Sequence, residues 1–215
     1  MALVERGIDF HHEIVDLSAK PDRLVELYER ARPGSRGAAK VPLLEYGDDV
    51  VVESIDVARY VDAVRAAGPR LRPDESSELV DDFLDAWPRV ERSYYAVLTA
   101  TSQRDADAQE DAFADSLRDL EDLLAANDDG PLLLGEAVSL AEVVAAPWVQ
   151  RWGVTLPRFR RRDLERDILA PRGLDRVAAW TRAVAARPAA VETAAPPSEM
   201  IAAAEKYYVT YVTTP

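Results

Sequence analysis

The stretch whose residue types could do chemistry is Lys40-Val41-Pro42-Leu43-Leu44-Glu45, followed by Glu53-Ser54 and then Tyr60. A strand entered through Val-Pro leaves the backbone beside the proline without a ladder partner. A cis bond there would expose the N–H and C=O of Val41. Such an edge can pair with an extended peptide by strand addition. Ser54 reads as the N-cap of a helix running from Ile55, where a hydroxyl, free backbone N–H groups and the helix dipole together suit an anion. Glu53 beside it can take an ammonium, and Lys40 can take a second carboxylate. Together these groups fit a short zwitterionic peptide with two carboxylates and one amine.

Other reactive sets are thin. The chain has no cysteine, which excludes a disulfide, a thiolate metal site and a cysteine nucleophile within these residues. Its two histidines, His11 and His12, are adjacent on a predicted strand, so they point to opposite faces and do not share a metal. No metal site is expected. No glycine-rich phosphate loop precedes a Lys-Ser or Lys-Thr pair. The basic cluster Arg158, Arg160, Arg161 and Arg162 sits beside Asp163, Glu165 and Asp167, and reads as a solvated, self-compensated helix start. Asp81, Asp82 and Asp85 read as a solvated helix face. Trp148 and Trp152 share a helical face and are expected in a core. Tyr94 and Tyr95 supply hydroxyls, with packing the expected role of both.

The elements that must position the first set are of mixed type. Residues 8–17 alternate apolar and polar and predict a strand. Lys20-Pro21-Asp22 opens a helix carrying Leu24, Leu27 and Tyr28 on one face. Pro33-Gly34-Ser35-Arg36-Gly37 is a loop. Residues 41–46 and 50–53 around Gly47-Asp48-Asp49 predict a hairpin, and a helix follows, to about Ala66. That helix runs from Ile55 with Ser54 as its cap, and the proline-rich segment 68–75 is the expected linker between residues 1–67 and an all-helical region, 76–215.

In that region residues 77–100 and 105–126 are long amphipathic helices, and Pro88 should kink or break the first. Ser139 and Glu142 fit a capping box, with Val138 and Val143 as its hydrophobic staple. Two further helices are expected at 174–186 and 198–212, with Arg187-Pro188 and Pro196-Pro197 as stops. The fold class is therefore α+β, a small mixed domain followed by a helical bundle.

The balance of the chain sets its partners. With 215 residues and 48% apolar composition it can bury two cores. A net charge of −13 argues against nucleic acid and an anionic membrane, both of which call for clustered positive charge. No apolar run approaches the ~18 residues that span a bilayer. No basic segment leads into an apolar one near Met1, so a cytoplasmic location is expected.

The segment Lys40-Val41-Pro42 with Glu53-Ser54-Ile55 through Tyr60 resembles the glutathione-binding half of the thioredoxin-like domain of cytosolic glutathione transferases. Val15-Asp16-Leu17 with Lys20-Pro21 is similar to the omega, lambda and dehydroascorbate-reductase-like classes. Residues 130–135 and Ser139-Leu140-Ala141-Glu142 resemble the family's buried capping box, and Arg187-Pro188 with Thr193 its late helix ending.

The resemblance implies a thioredoxin-like domain over residues 1–67 and a helical domain over 76–215. It implies glutathione as co-substrate, with Val41 and Pro42 at the cysteinyl part, Glu53 and Ser54 at the γ-glutamyl end and Lys40 at the glycyl carboxylate. It further implies a small hydrophobic or electrophilic second substrate against the helical domain, and a homodimer. The family's chemistry is thiol transfer, conjugation or glutathione-dependent reduction. Its first strand and catalytic cysteine, serine or tyrosine find no counterpart in residues 1–215, so no catalytic residue is assigned and this chain is expected to be inactive in that chemistry. The alternative is a non-catalytic binding or assembly module of the same fold.

Overall fold

The computed structural model describes residues 1–35, 38–64, 68–126 and 129–209. Arg36 and Gly37 of the expected loop, the predicted helix end at 65–67, residues 127–128 and the predicted helical residues 210–212 lie outside the described residues. The chain divides into two compact units, Met1–Leu71 and Arg72–Pro215.

In the first unit α1 (Ala2–Glu5) and α2 (Asp22–Ala31) precede the strands β1 (Leu43–Tyr46) and β2 (Asp49–Val52), and α3 (Ser54–Val64) follows. The strands pair antiparallel, with Leu43 opposite Val52 and Tyr46 opposite Asp49. Gly47 takes a positive φ of 59° in the tight connection, a conformation glycine adopts at little cost. A small core of Leu24, Tyr28, Ala39 and Val52 is closed by Val15, Val25, Ala31 and Leu43.

Residues 8–16 do not form the predicted strand. Their alternation is real, but a strand exists through its ladder, and no strand pairs with this segment among the described residues. Phe10 and Ile14 are consequently exposed, Ile14 at 88%.

A buried ion pair fastens the far end of this unit. Arg6, just after α1, lies 3.5 Å from Asp62 of α3, and Asp62 also accepts from Leu71 N at 2.8 Å and Arg70 Nε at 3.0 Å. Removing one partner of such a pair leaves the other charge buried without compensation.

The second unit is helical. It contains α4 (Ser77–Thr99), α5 (Gln103–Ala125), α6 (Leu140–Arg160), α7 (Asp175–Ala186), α8 (Pro188–Glu192) and α9 (Pro197–Tyr207). Its core is aromatic: Phe83, Trp87, Phe113, Trp152 and Trp180 are all fully buried, with Trp87 and Trp152 at 5.8 Å between centroids. Pro88 does not break α4. It removes one intrahelical bond, while the buried stripe of Val80, Phe83, Leu84, Trp87, Val90 and Tyr94 holds the helix on its neighbours. α9 ends at Tyr207, short of the predicted Val212. The connection between α5 and α6 folds tightly, and a Cβ on Gly130 would lie 2.5 Å from the Gly135 carbonyl carbon, so only glycine fits there.

Taken together this is a thioredoxin-like N-terminal domain followed by an all-helical C-terminal domain, with two strands formed among the described residues.

Candidate functional site

The β1–β2 hairpin delivers both halves of the first motif to one end of the small sheet. Val41 and Pro42 stand just before β1, and Glu53 and Ser54 just after β2. The Val41-Pro42 bond is cis. Val41 is 47% exposed and lies outside the ladder, and among the described residues its N–H and C=O make no backbone hydrogen bond. Lys40 is exposed and forms no ion pair among the described residues.

Glu53 adopts a left-handed φ of 70°, a conformation that costs a residue with a Cβ about 1 kcal/mol or more. The turn aims Ser54 outward at the first residue of α3. There Ser54 is exposed, and neither its hydroxyl nor its N–H is engaged among the described residues. The first N–H groups of a helix have no intrahelical acceptor, so this end offers a positive field and free donors together.

The Glu53 carboxylate is steered from α2. Tyr28 donates its hydroxyl to Glu53 Oε1 at 3.2 Å, and Arg32 Nη1 lies 3.6 Å from the same oxygen. Burial, followed by the hydrogen bond to Glu53, raises the Tyr28 phenol above its ordinary value, so it remains a donor at neutral pH. Sequence reading placed Tyr28 on a core face and left Arg32 unassigned. Arg32 is the residue that ends α2, four positions after Tyr28. Tyr60 donates to Asp49 Oδ2 at 2.5 Å, which raises its phenol to about 12.

In the helical unit, Ser139 Oγ accepts from Ala141 N at 3.1 Å, and Glu142 Oε2 accepts from Ser139 N at 2.8 Å. Glu142 is fully buried, and its other oxygen accepts from Leu133 N and from Trp180 Nε1, both at 2.9 Å. Tyr94 is buried, with its hydroxyl 2.6 Å from Thr155 Oγ1, and burial pushes its phenol far above the ordinary range. That hydroxyl belongs to the core. Tyr95 is half-buried, as is Trp148, whereas Trp152 is fully inside.

The arginine cluster needs correcting. It closes α6 rather than opening a helix, with Arg161 in a left-handed cap at φ 55°. Arg160 is only 9% exposed and donates to the carbonyls of Val97 at 2.7 Å, Leu98 at 2.6 Å and Ala100 at 3.1 Å. It therefore caps the end of α4, where unsatisfied carbonyls and the negative dipole end both favour a cation. Arg162 pairs with Glu110 at 2.8 Å. His11 and His12 are exposed on the irregular segment, and among the described residues no group of three or more His, Cys, Asp or Glu is placed to hold a metal.

Family comparison decides what this architecture is. Residues 1–64 match the model for the glutathione S-transferase N-terminal domain, and residues 103–183 match that for the glutathione S-transferase C-terminal domain. The chain belongs to the cytosolic glutathione transferase superfamily. It is 28% identical over 166 residues to "Glutathione S-transferase L2, chloroplastic" of Arabidopsis thaliana, covering 76% of this chain and 52% of that protein. It is 26% identical over 172 residues to Glutathione S-transferase L3 of the same plant, covering 79% and 67%.

This transferase-family chain thus spans about half the length of the first curated relatives it matches. Among solved structures, glutathione transferase Omega 3C from Trametes versicolor superposes with a TM-score of 0.76 at 20% identity, over 95% of this chain and 83% of that one. Rice GST1, solved in complex with glutathione, gives 0.69 at 22% identity, over 95% and 90%. These superpositions establish the fold. No described helix is long and apolar enough to cross a membrane.

Proposed function

We propose that the hairpin end binds glutathione, in the service of thiol transfer, conjugation or glutathione-dependent reduction of a small electrophile. Val41 N–H and C=O pair with the cysteinyl backbone beside Pro42. The Ser54 hydroxyl and N–H receive the γ-glutamyl carboxylate, Glu53 takes the γ-glutamyl amine, and Lys40 reaches the glycyl carboxylate. One observation carries this reading: Glu53 is held in a left-handed conformation directly before Ser54, whose hydroxyl and N–H are unspent among the described residues. A strained residue beside unsatisfied groups is what a preorganised ligand site looks like before its ligand arrives.

The class is nearest to the omega, lambda and dehydroascorbate-reductase-like transferases. The working domains are residues 1–67 and 76–215 joined by 68–75, the assembly is a homodimer and the location is cytoplasmic. No metal takes part.

Residues 1–215 contain no cysteine, so they form no mixed disulfide with glutathione. The Tyr94 hydroxyl is committed to Thr155. These two facts favour the second reading, a module that binds glutathione without turning it over. The test is to supply residues 1–215 with glutathione, a model electrophile and a mixed-disulfide substrate. Binding without turnover supports the module, turnover lost in Tyr95→Phe makes Tyr95 the active hydroxyl, and absence of binding removes both readings.

A further inference from the structure

Arg32 ends α2, and its Nη1 lies 3.6 Å from Glu53 Oε1, the two side chains being 54% and 39% exposed. Tyr28, buried in the small core, donates to the same oxygen at 3.2 Å. Both contacts fall on Oε1, so Glu53 Oε2 has no hydrogen bond or ion pair among the described residues. The Nε and Nη2 donors of Arg32 are likewise unspent among those residues. The other arginines of α2 are aimed elsewhere: Arg23 pairs with Glu45 at 2.5 Å, and Arg30 donates to the Asp48 carbonyl at 3.3 Å.

This pairing changes what Glu53 can receive. A carboxylate that is to hold an ammonium is ordinarily offered with its charge free. Here a guanidinium already stands at it, in the place of the cation that Glu53 would take from a ligand. A ligand with an ammonium alone sets two cations on one carboxylate, and their repulsion opposes binding. A ligand with an ammonium and a carboxylate on the same carbon escapes that cost. Its ammonium can go to Oε2, while its carboxylate gives the guanidinium a second acceptor, so that the charges alternate. The planar, permanently charged fork of arginine suits such sharing, since its donors can serve two oxygens at once. A pair this exposed is also held weakly, which leaves Arg32 able to turn toward the ligand. Tyr28 keeps Oε1 in place meanwhile, its phenol raised by burial and so still protonated.

We propose that Arg32 is a specificity-determining residue that makes this end of the hairpin select a free α-amino acid head group. The ammonium lies on Glu53, and the carboxylate is shared between Ser54 and Arg32. The proposal rests on the glutathione reading above and deepens it, by naming the part of the ligand that is discriminated and the class that is rejected, amines without an adjacent carboxylate.

The probes are glutathione, 4-aminobutyryl-cysteinylglycine, which lacks only the α-carboxylate, and glutaryl-cysteinylglycine, which lacks only the amine. Each is titrated calorimetrically into residues 1–215 and into Arg32→Met and Arg32→Lys. The unsubstituted protein should bind glutathione at least about tenfold more tightly than the aminobutyryl peptide, as loss of a charge-assisted contact allows. Arg32→Met should weaken glutathione and the glutaryl peptide about five- to tenfold and tighten the aminobutyryl peptide a few-fold. Arg32→Lys, which keeps the charge without the fork, should fall between. The opposite signs are the signature, because a substitution that merely disturbed the fold would weaken all three peptides together.

A preference for glutathione over the aminobutyryl peptide that is unchanged in Arg32→Met, or a uniform loss across the three peptides, overturns the proposal and leaves the glutathione reading in place. Failure of the unsubstituted protein to bind any of the three removes the glutathione reading and this inference with it.

Discussion

The starts of α3 and α6 each carry a serine with a glutamate close by, and the two beginnings serve opposite ends. At α6, Ser139 and Glu142 are wholly buried, and the pair accepts from Leu133 N, Ser139 N, Ala141 N and Trp180 Nε1. At α3, Ser54 is exposed with its donors open, and Glu53 sits in a conformation unfavourable for a glutamate. Residue type does not separate a structural cap from a binding site here. Burial and unspent hydrogen-bonding capacity do. A buried cap is optimised for the folded state alone, whereas an open one is left incomplete and its ligand supplies the missing acceptors.

The contrast can be broken from the buried side first. Glu142→Ala would strip the acceptor from Leu133 N, Ser139 N and Trp180 Nε1, and should destabilise the helical unit by about 3–6 kcal/mol. Urea denaturation followed by far-ultraviolet circular dichroism would show this, and a loss below about 1 kcal/mol would mean the hub is dispensable.

Arg160→Met should follow at about 2–4 kcal/mol, because the carbonyls of Val97, Leu98 and Ala100 lose a charged donor. Near-wild-type stability would return Arg160 to the solvated role its sequence first indicated. Ser139→Ala should cost about 1–2 kcal/mol, the ordinary worth of a serine N-cap at a site water does not reach. An unchanged melting midpoint would count against the cap.

On the open side the sign changes. Glu53→Gly relieves the left-handed strain and loses only two partly exposed contacts, so stability should stay within about 1 kcal/mol of wild type. Glutathione affinity should nevertheless fall. A variant that melts early and binds normally would invert the comparison.

Much of this was legible in the sequence, for reasons that differ by element. The helices were readable because amphipathic spacing is local, and the capping box because its partners lie three residues apart. The hairpin was readable from Gly47-Asp48-Asp49 between two apolar runs. The predicted strand at 8–17 failed because alternation records a tendency, and pairing depends on a neighbour that local sequence does not supply. Arg160 was misread because nothing in Arg158-Phe159-Arg160-Arg161-Arg162 marks which arginine turns inward onto the end of another helix. Tyr28 and Arg32 were missed as holders of Glu53 because that contact crosses more than twenty positions and appears only when α2 packs on β2.

The most direct test is calorimetric titration of glutathione into residues 1–215 and into Ser54→Ala, with thermal melts of both. Measurable binding in the first is expected to weaken by about 1–3 kcal/mol in the second, as the γ-glutamyl carboxylate loses a hydroxyl donor. The two melts should coincide, because Ser54 does no structural work in the free protein. Equal glutathione affinity in the two proteins, or a Ser54→Ala midpoint lowered as far as that of Ser139→Ala, would contradict the assignment of this helix start to ligand binding.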